Sequence, residues 1–130
     1  MRDITMEIKN SMKILVVDDD PEILECFKSI FKGSGAQLFL SNSAVSAIEE
    51  LKRQSYNIVF IDLYMPVING METLMRMKEI CPDIIAIMIS GFRNPQILEA
   101  AKRSGAANYL FKPLDVKEIL LSTIVPIKTN

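Results

Sequence analysis

The sequence predicts an α/β protein, five strand–helix units laid around a parallel sheet. Three observations carry that prediction. Short apolar runs recur, at residues 13–17 (KILVV), 57–61 (NIVFI) and 84–89 (IIAIMI). They are too continuous for strands with one wet face and read as strands buried on both. Between them lie stretches whose apolar residues repeat at helical spacing. Strand and helix alternate along the whole chain, and that order implies a parallel sheet covered on both sides.

Each element has local reasons. The first strand, 13–17, ends in Asp18-Asp19-Asp20. Asp20 is placed as an N-cap with Pro21 at the first helical position. Ile23, Leu24, Phe27, Ile30 and Phe31 form the helix's inner face, and Gly33 and Gly35 stop it. Residues 37–40 make a second, more mixed strand, suited to a sheet edge. Ser43 caps a helix with Ala44, Ala47, Ile48 and Leu51 inward. The third strand ends at Asp62, and a loop containing Pro66 leads through Asn69 to Gly70. The third helix turns Leu74 and Met77 inward and ends before Pro82. The fourth strand ends at Ser90. Asn94-Pro95 opens a helix that runs to about Ser104-Gly105. A fifth strand, 108–111, ends at Lys112-Pro113. Asp115 caps a last helix with Val116, Ile119, Leu120 and Ile124 on its inner face.

With 130 residues, 49% of them hydrophobic, the chain is one domain with enough apolar surface for a core. Its 15 basic and 16 acidic residues give no general attraction to nucleic acid or anionic membrane. No apolar run has the length of a membrane span. Cys26 and Cys81 lie far apart in no metal-binding spacing, and read as reduced, mostly buried thiols of a cytoplasmic protein. The chain contains no histidine. His-based acid–base catalysis, His metal ligation and Ser-His-Asp or Cys-His nucleophile systems are therefore excluded. The chemistry left belongs to carboxylates, hydroxyls, lysine and a metal.

In open parallel sheets, sites form where the strands' carboxyl ends meet. Here four strand ends carry polar residues: Asp18 and Asp19, Asp62, Ser90, and Lys112. Singly, each has a plain explanation, as loop solvation, an ordinary turn or a surface lysine. Together they gather three carboxylates, a hydroxyl and an ammonium on one edge. Two like charges at 4 Å cost about 4 kcal/mol at an effective dielectric of 20, so the cluster calls for a cation. Hard carboxylate oxygens favour Mg²⁺, which keeps open positions for phosphate oxygens. Asp62, fixed by a buried strand yet followed by a loop, is the candidate nucleophile for an aspartyl phosphate. Lys112 and the metal would neutralise the transferring group.

The segments LVVDDD at 15–20, VFIDLYMPVINGMETL at 59–74, IMISG at 87–91 and NYLFKPL at 108–114 resemble a response-regulator receiver domain of two-component signal transduction. The resemblance places that domain at 13–125, between an extension at 1–12 and a tail at 126–130. It implies the flavodoxin-like strand order 2-1-3-4-5. It implies phosphorylation of Asp62 by a sensor histidine kinase or phosphotransfer protein in a phosphorelay. It implies Mg²⁺ held by Asp19 and Asp62, by Asp18 mainly through water, and by the backbone carbonyl of Tyr64. Ser90 takes the position of the switch hydroxyl, Tyr109 that of the switch aromatic, and Lys112 that of the lysine on the phosphoryl oxygens, before a usual cis proline. The output surface would be the fourth helix, fifth strand and fifth helix, exposing Gln96, Glu99, Lys102, Arg103, Lys117 and Glu118 to an effector or a second receiver. Tyr64 and Phe92 are bulky where, by the same resemblance, water would reach the phosphoryl group, so slow hydrolysis is expected.

Two other readings remain. One is a Mg-dependent phosphohydrolase with an aspartyl nucleophile; such enzymes usually carry an acid–base carboxylate two residues on, where this chain has Tyr64. The other is a receiver-like module that only binds.

Overall fold

A computed structural model describes residues 12–124. Five strands and five helices alternate: β1 (Lys13–Val17), α1 (Pro21–Phe31), β2 (Gln37–Ser41), α2 (Ala44–Arg53), β3 (Ile58–Asp62), α3 (Gly70–Ile80), β4 (Ile85–Ser90), α4 (Pro95–Arg103), β5 (Ala106–Phe111) and α5 (Val116–Ser122). All neighbouring strands pair in parallel, in the order β2-β1-β3-β4-β5. The expected topology is the observed one, with β2 on an edge.

Alternate residues of each inner strand feed two cores. Leu15, Val17, Val59, Ile61, Ala86 and Met88 face α2, α3 and α4, against Ala47, Ile48, Leu51, Leu74, Met77 and Ala101. Ile14, Val16, Ile58, Phe60, Ile87 and Ile89 face α1 and α5, against Phe27, Phe31 and Ile119. Burying a side chain such as Phe27 contributes about 2–3 kcal/mol, so the strand pattern fixes the register firmly.

The helix starts follow their caps. Asp20, Ser43, Asn69, Asn94 and Asp115 each accept a backbone N–H from the first turn of the helix they precede. Asn69 caps α3 where the sequence pattern suggests only loop. β5 begins at Ala106, earlier than expected, because two alanines carry little strand signal yet Ala106 pairs with Ala86. Val116, expected on the inner face of α5, is 50% exposed. It is the first helical residue, and its side chain tilts back toward the helix start, away from the sheet. Both cysteines are free and half-buried, less covered than expected. Met12, assigned to the extension, packs against the α1–α5 core and its carbonyl accepts from Gln37 N–H. The rest of that extension and the tail at 126–130 lie outside the described residues.

Candidate functional site: an acidic cluster at the carboxyl edge of the sheet

The register of the sheet brings the predicted residues together. Val17 pairs with Ile61, so the residues that follow, Asp18 and Asp62, emerge side by side. Ser90 ends β4 opposite Phe111, and Lys112 follows Phe111. The Lys112 N–H donates to the Ser90 carbonyl at 2.8 Å, and the Leu63 N–H to the Ile89 carbonyl at 2.8 Å, which carries the sheet one step past the strand ends.

Asp18, Asp19 and Asp62 each offer a carboxylate oxygen within 4.8 Å of the others. Asp18 and Asp62 are buried, and Asp19 is exposed. Asp18 Oδ1 accepts from the Asp20 N–H at 2.9 Å, while its Oδ2 is buried and accepts no hydrogen bond. Lys112 Nζ stands 3.5 Å from Asp18 Oδ2 and 3.5 Å from Asp62 Oδ1, shared between the two acids. One ammonium for two buried carboxylates leaves the cluster short of positive charge. Burial, then the charge of Asp18, pushes the Asp62 carboxyl up to about 6. Burial also raises Asp18, against the pull of the Asp20 N–H and Lys112. Burial works to lower Lys112, but the charges of Asp18 and Asp62 outweigh it and hold the ammonium above its ordinary value. An orphaned buried oxygen among three hard donors, with two buried acids and one lysine, fits a small divalent cation.

Ser90 is fully buried, and its Oγ accepts from the Phe92 N–H at 3.0 Å. It is turned to its own loop, not to Asp62. The Tyr109 hydroxyl is buried and makes no hydrogen bond of good geometry; burial raises its pKa, against a lowering pull from the neighbouring Ser90 hydroxyl. Tyr64, two residues past Asp62, and Phe92, two past Ser90, meet edge to face with centroids 5.4 Å apart. The two residues are 50% and 65% exposed and bridge the loops after β3 and β4.

One positioning residue, Gly70, lies within the 59–74 motif but is given no role there. It opens α3 with its N–H on the Leu63 carbonyl at 2.8 Å. A Cβ there would lie 2.6 Å from Leu63 Cα and closer still to the Asp62 carbonyl. The start of α3 thus presses directly on the backbone that carries Asp62. The available signal is a glycine at a helix start, a place where small polar caps are commoner.

The response regulator receiver domain model matches residues 14–123. The chain belongs to that family. Receiver domains are the regulatory phosphoacceptor modules of two-component systems, and that is this domain's function. Among curated relatives, the receiver is 31% identical over 109 residues to the transcriptional regulatory protein ZraR of Klebsiella oxytoca, covering 84% of this chain but 25% of that protein. It is 29% identical to sporulation initiation phosphotransferase F of Bacillus subtilis, covering 91% of this chain and 97% of that one. Among solved structures, a receiver domain protein from Clostridium thermocellum superposes with a TM-score of 0.83 at 27% identity, over 90% of this chain and 94% of the other. The chain therefore spans about a quarter of the first relative's length. No helix of the described residues is long and apolar enough to cross a membrane.

Proposed function

We propose that this receiver takes a phosphoryl group onto Asp62 from a sensor histidine kinase or phosphotransfer protein. The observation that carries the reading is the convergence of Asp18, Asp19, Asp62 and Lys112 on one edge of the sheet. An Asp62 carboxylate oxygen attacks the phosphorus, an O–P bond forms, and the donor's N–P bond breaks, the imidazole nitrogen keeping the electron pair and taking a proton from water. Lys112, already beside Asp62, pairs with the arriving phosphoryl oxygens. Asp18, Asp19, Asp62 and the Tyr64 backbone carbonyl would hold Mg²⁺, which when bound supplies the charge neutralisation that phosphoryl transfer needs. The likeness to a sporulation initiation phosphotransferase along 97% of that protein supports a phosphoryl-carrying role.

The new charge draws the Ser90 hydroxyl, with Tyr109 behind it, and the response surface is α4, β5 and α5. Gln96, Glu99, Lys102, Arg103, Lys117 and Glu118 are exposed there, as expected, and open to an effector or a second receiver. The domain is taken as 13–125, flanked by 1–12 and 126–130, with Met12 of the first flank packed onto its core. The setting is the cytoplasm, where the free thiols of Cys26 and Cys81 stay reduced. The chain does no chemistry beyond its own phosphorylation and dephosphorylation.

The test is incubation with acetyl phosphate and Mg²⁺, followed by intact mass. One stable phosphoryl gain, absent in Asp62→Asn, is expected. Turnover of phosphate esters without accumulation would mark a phosphohydrolase, and no modification a binding-only module. The same samples time the decay. The Tyr64–Phe92 pair narrows water's approach, so Tyr64→Asn and Phe92→Ala should shorten the phosphoryl lifetime several-fold; unchanged lifetimes remove that role.

A further inference from the structure

We infer that a contact between Arg93 and the Phe111 ring clasps the β4–α4 loop in its resting position and sets how readily Ser90 is released. The inference rests on the Asp62 reading above and adds a residue that controls it.

The loop, residues 91–94, is tied at both ends and on both sides. At its start, Ser90 Oγ accepts from the Phe92 N–H at 3.0 Å and lies 3.4 Å from the Phe92 carbonyl. On one side, the Phe92 ring meets Tyr64. On the other, the Arg93 guanidinium sits 3.9 Å from the centroid of Phe111. Phe111 ends β5, pairs with Ser90 across the sheet, and lies 5.1 Å from the Tyr109 ring. At its far end Asn94 caps α4 through the N–H groups of Gln96 and Ile97, so loop and helix move as one. Among the described residues Arg93 has no carboxylate within ion-pair distance, so the ring is its contact.

A serine hydroxyl has one proton to give. Here the hydroxyl oxygen is held by the Phe92 N–H and lies near the Phe92 carbonyl, while the buried Tyr109 hydroxyl, with Ser90 as its side-chain neighbour, makes no hydrogen bond of good geometry. A phosphoryl group on Asp62 that needs the Ser90 proton must pull the side chain off the loop backbone. The loop then follows or forfeits the Phe92 N–H bond. The Arg93–Phe111 contact exists only while the loop stays, so it favours one state over the other, and such a difference is what shifts a population. A solvent-exposed cation–π contact changes that equilibrium roughly twofold to fivefold.

The experiment is titration of the whole protein with beryllofluoride and Mg²⁺, beryllofluoride standing in for the phosphoryl group, followed by amide NMR. Arg93→Ala and Phe111→Leu should each bind roughly twofold to fivefold tighter than wild type, and the double variant no tighter than the better single. The sign is informative, because removing a cation near an anion site would by itself weaken binding. Phe111→Leu keeps every charge and answers the same question independently. Either single variant binding no tighter than wild type overturns the clasp. If wild type binds no better than Asp62→Asn, the site reading falls and the clasp with it.

Discussion

Glu50 and Asp62 are carboxylates buried at opposite ends of this sheet, and their surroundings treat them in opposite ways. Glu50, on α2, lies toward the amino ends of β1 and β3 and is buried. It accepts from the Tyr56 hydroxyl, from Gln54 Nε2 at 2.7 Å and from Arg53 Nη1 at 2.8 Å. Gln54 in turn accepts from Lys13 Nζ at 2.6 Å. The Tyr56 bond, with Gln54 and Arg53, holds the Glu50 carboxyl below its ordinary range despite burial. Asp62, at the other end, has a shared lysine at 3.5 Å and a neighbouring acid, and is pushed up to about 6. Burial is common to both; the supply of donors is not. A carboxylate whose lone pairs are filled locks the structure, and one left short of positive charge is a place for a ligand.

The largest expected effect attacks the frame of the unfinished end. Gly70→Ala forces a methyl into the Asp62–Leu63 backbone and should cost about 3 kcal/mol or more, with phosphoryl uptake falling alongside. At Gly91, on the same edge, an added methyl would meet nothing within 4 Å, so Gly91→Ala should be near neutral. Urea unfolding and the mass assay check both. Equal effects would mean that α3 does not brace Asp62.

Next in size is the charge itself. The folded Asp62 titrates near 6, above the roughly 3.9 of an unfolded aspartate, so the folded state takes up a proton that the unfolded chain does not. In chelator, stability should therefore rise as pH falls from above 6 toward 4. Asp62→Asn should reduce that slope to the part that the likewise raised Asp18 contributes, and stabilise the metal-free protein by about 2 kcal/mol near neutral pH. Glu50 works the other way: its stabilising contribution is present above the unfolded value and lost as pH falls through its lower folded one. Urea unfolding across pH resolves the two regimes. A wild-type profile flat between about 5 and 7 would mean that the acidic cluster is not short of charge.

Tyr56→Phe tests the finished end. It removes one donor from a buried acceptor and should cost about 1–2 kcal/mol, leaving phosphoryl uptake from acetyl phosphate unchanged. A loss of uptake would couple the two ends and break the comparison.

The site edge is legible in the sequence because its signals are local: a buried strand, then an acid, serine or lysine, then a cap or proline. The register does the rest, since parallel strands ending in step must place Asp18 beside Asp62. Glu50 is not legible. On α2 it sits between Glu49, which is exposed, and Leu51, which is buried, and a carboxylate in a charged helix reads as solvated. Only the return of the chain through Tyr56 encloses it. Val116 misleads for the reverse reason: an apolar residue at helical spacing reads as core, but the sheet does not reach the first turn of α5. Neither the orientation of Ser90 nor the Arg93–Phe111 contact has any sequence signature, because both depend on loop geometry.

The smallest effect belongs to a residue whose type and backbone disagree. Val67 has φ 69 and is 96% exposed, with the Ile68 N–H on the Pro66 carbonyl at 2.8 Å, a three-residue turn with a positive central angle. A β-branched residue is strained there, and its side chain, almost wholly in water, recovers little by packing. Asparagine is not β-branched and tolerates a positive φ better, so Val67→Asn should stabilise by about 0.5–1 kcal/mol. Glycine relieves the same strain but frees the unfolded chain, and should gain less. Thermal unfolding ranks the three. A stability gain without change in phosphoryl uptake marks the strain as incidental to the acidic edge. Should uptake fall as stability rises, the strained turn is holding the loop after Asp62 in its working position, and the unfinished end of the sheet extends as far as Val67.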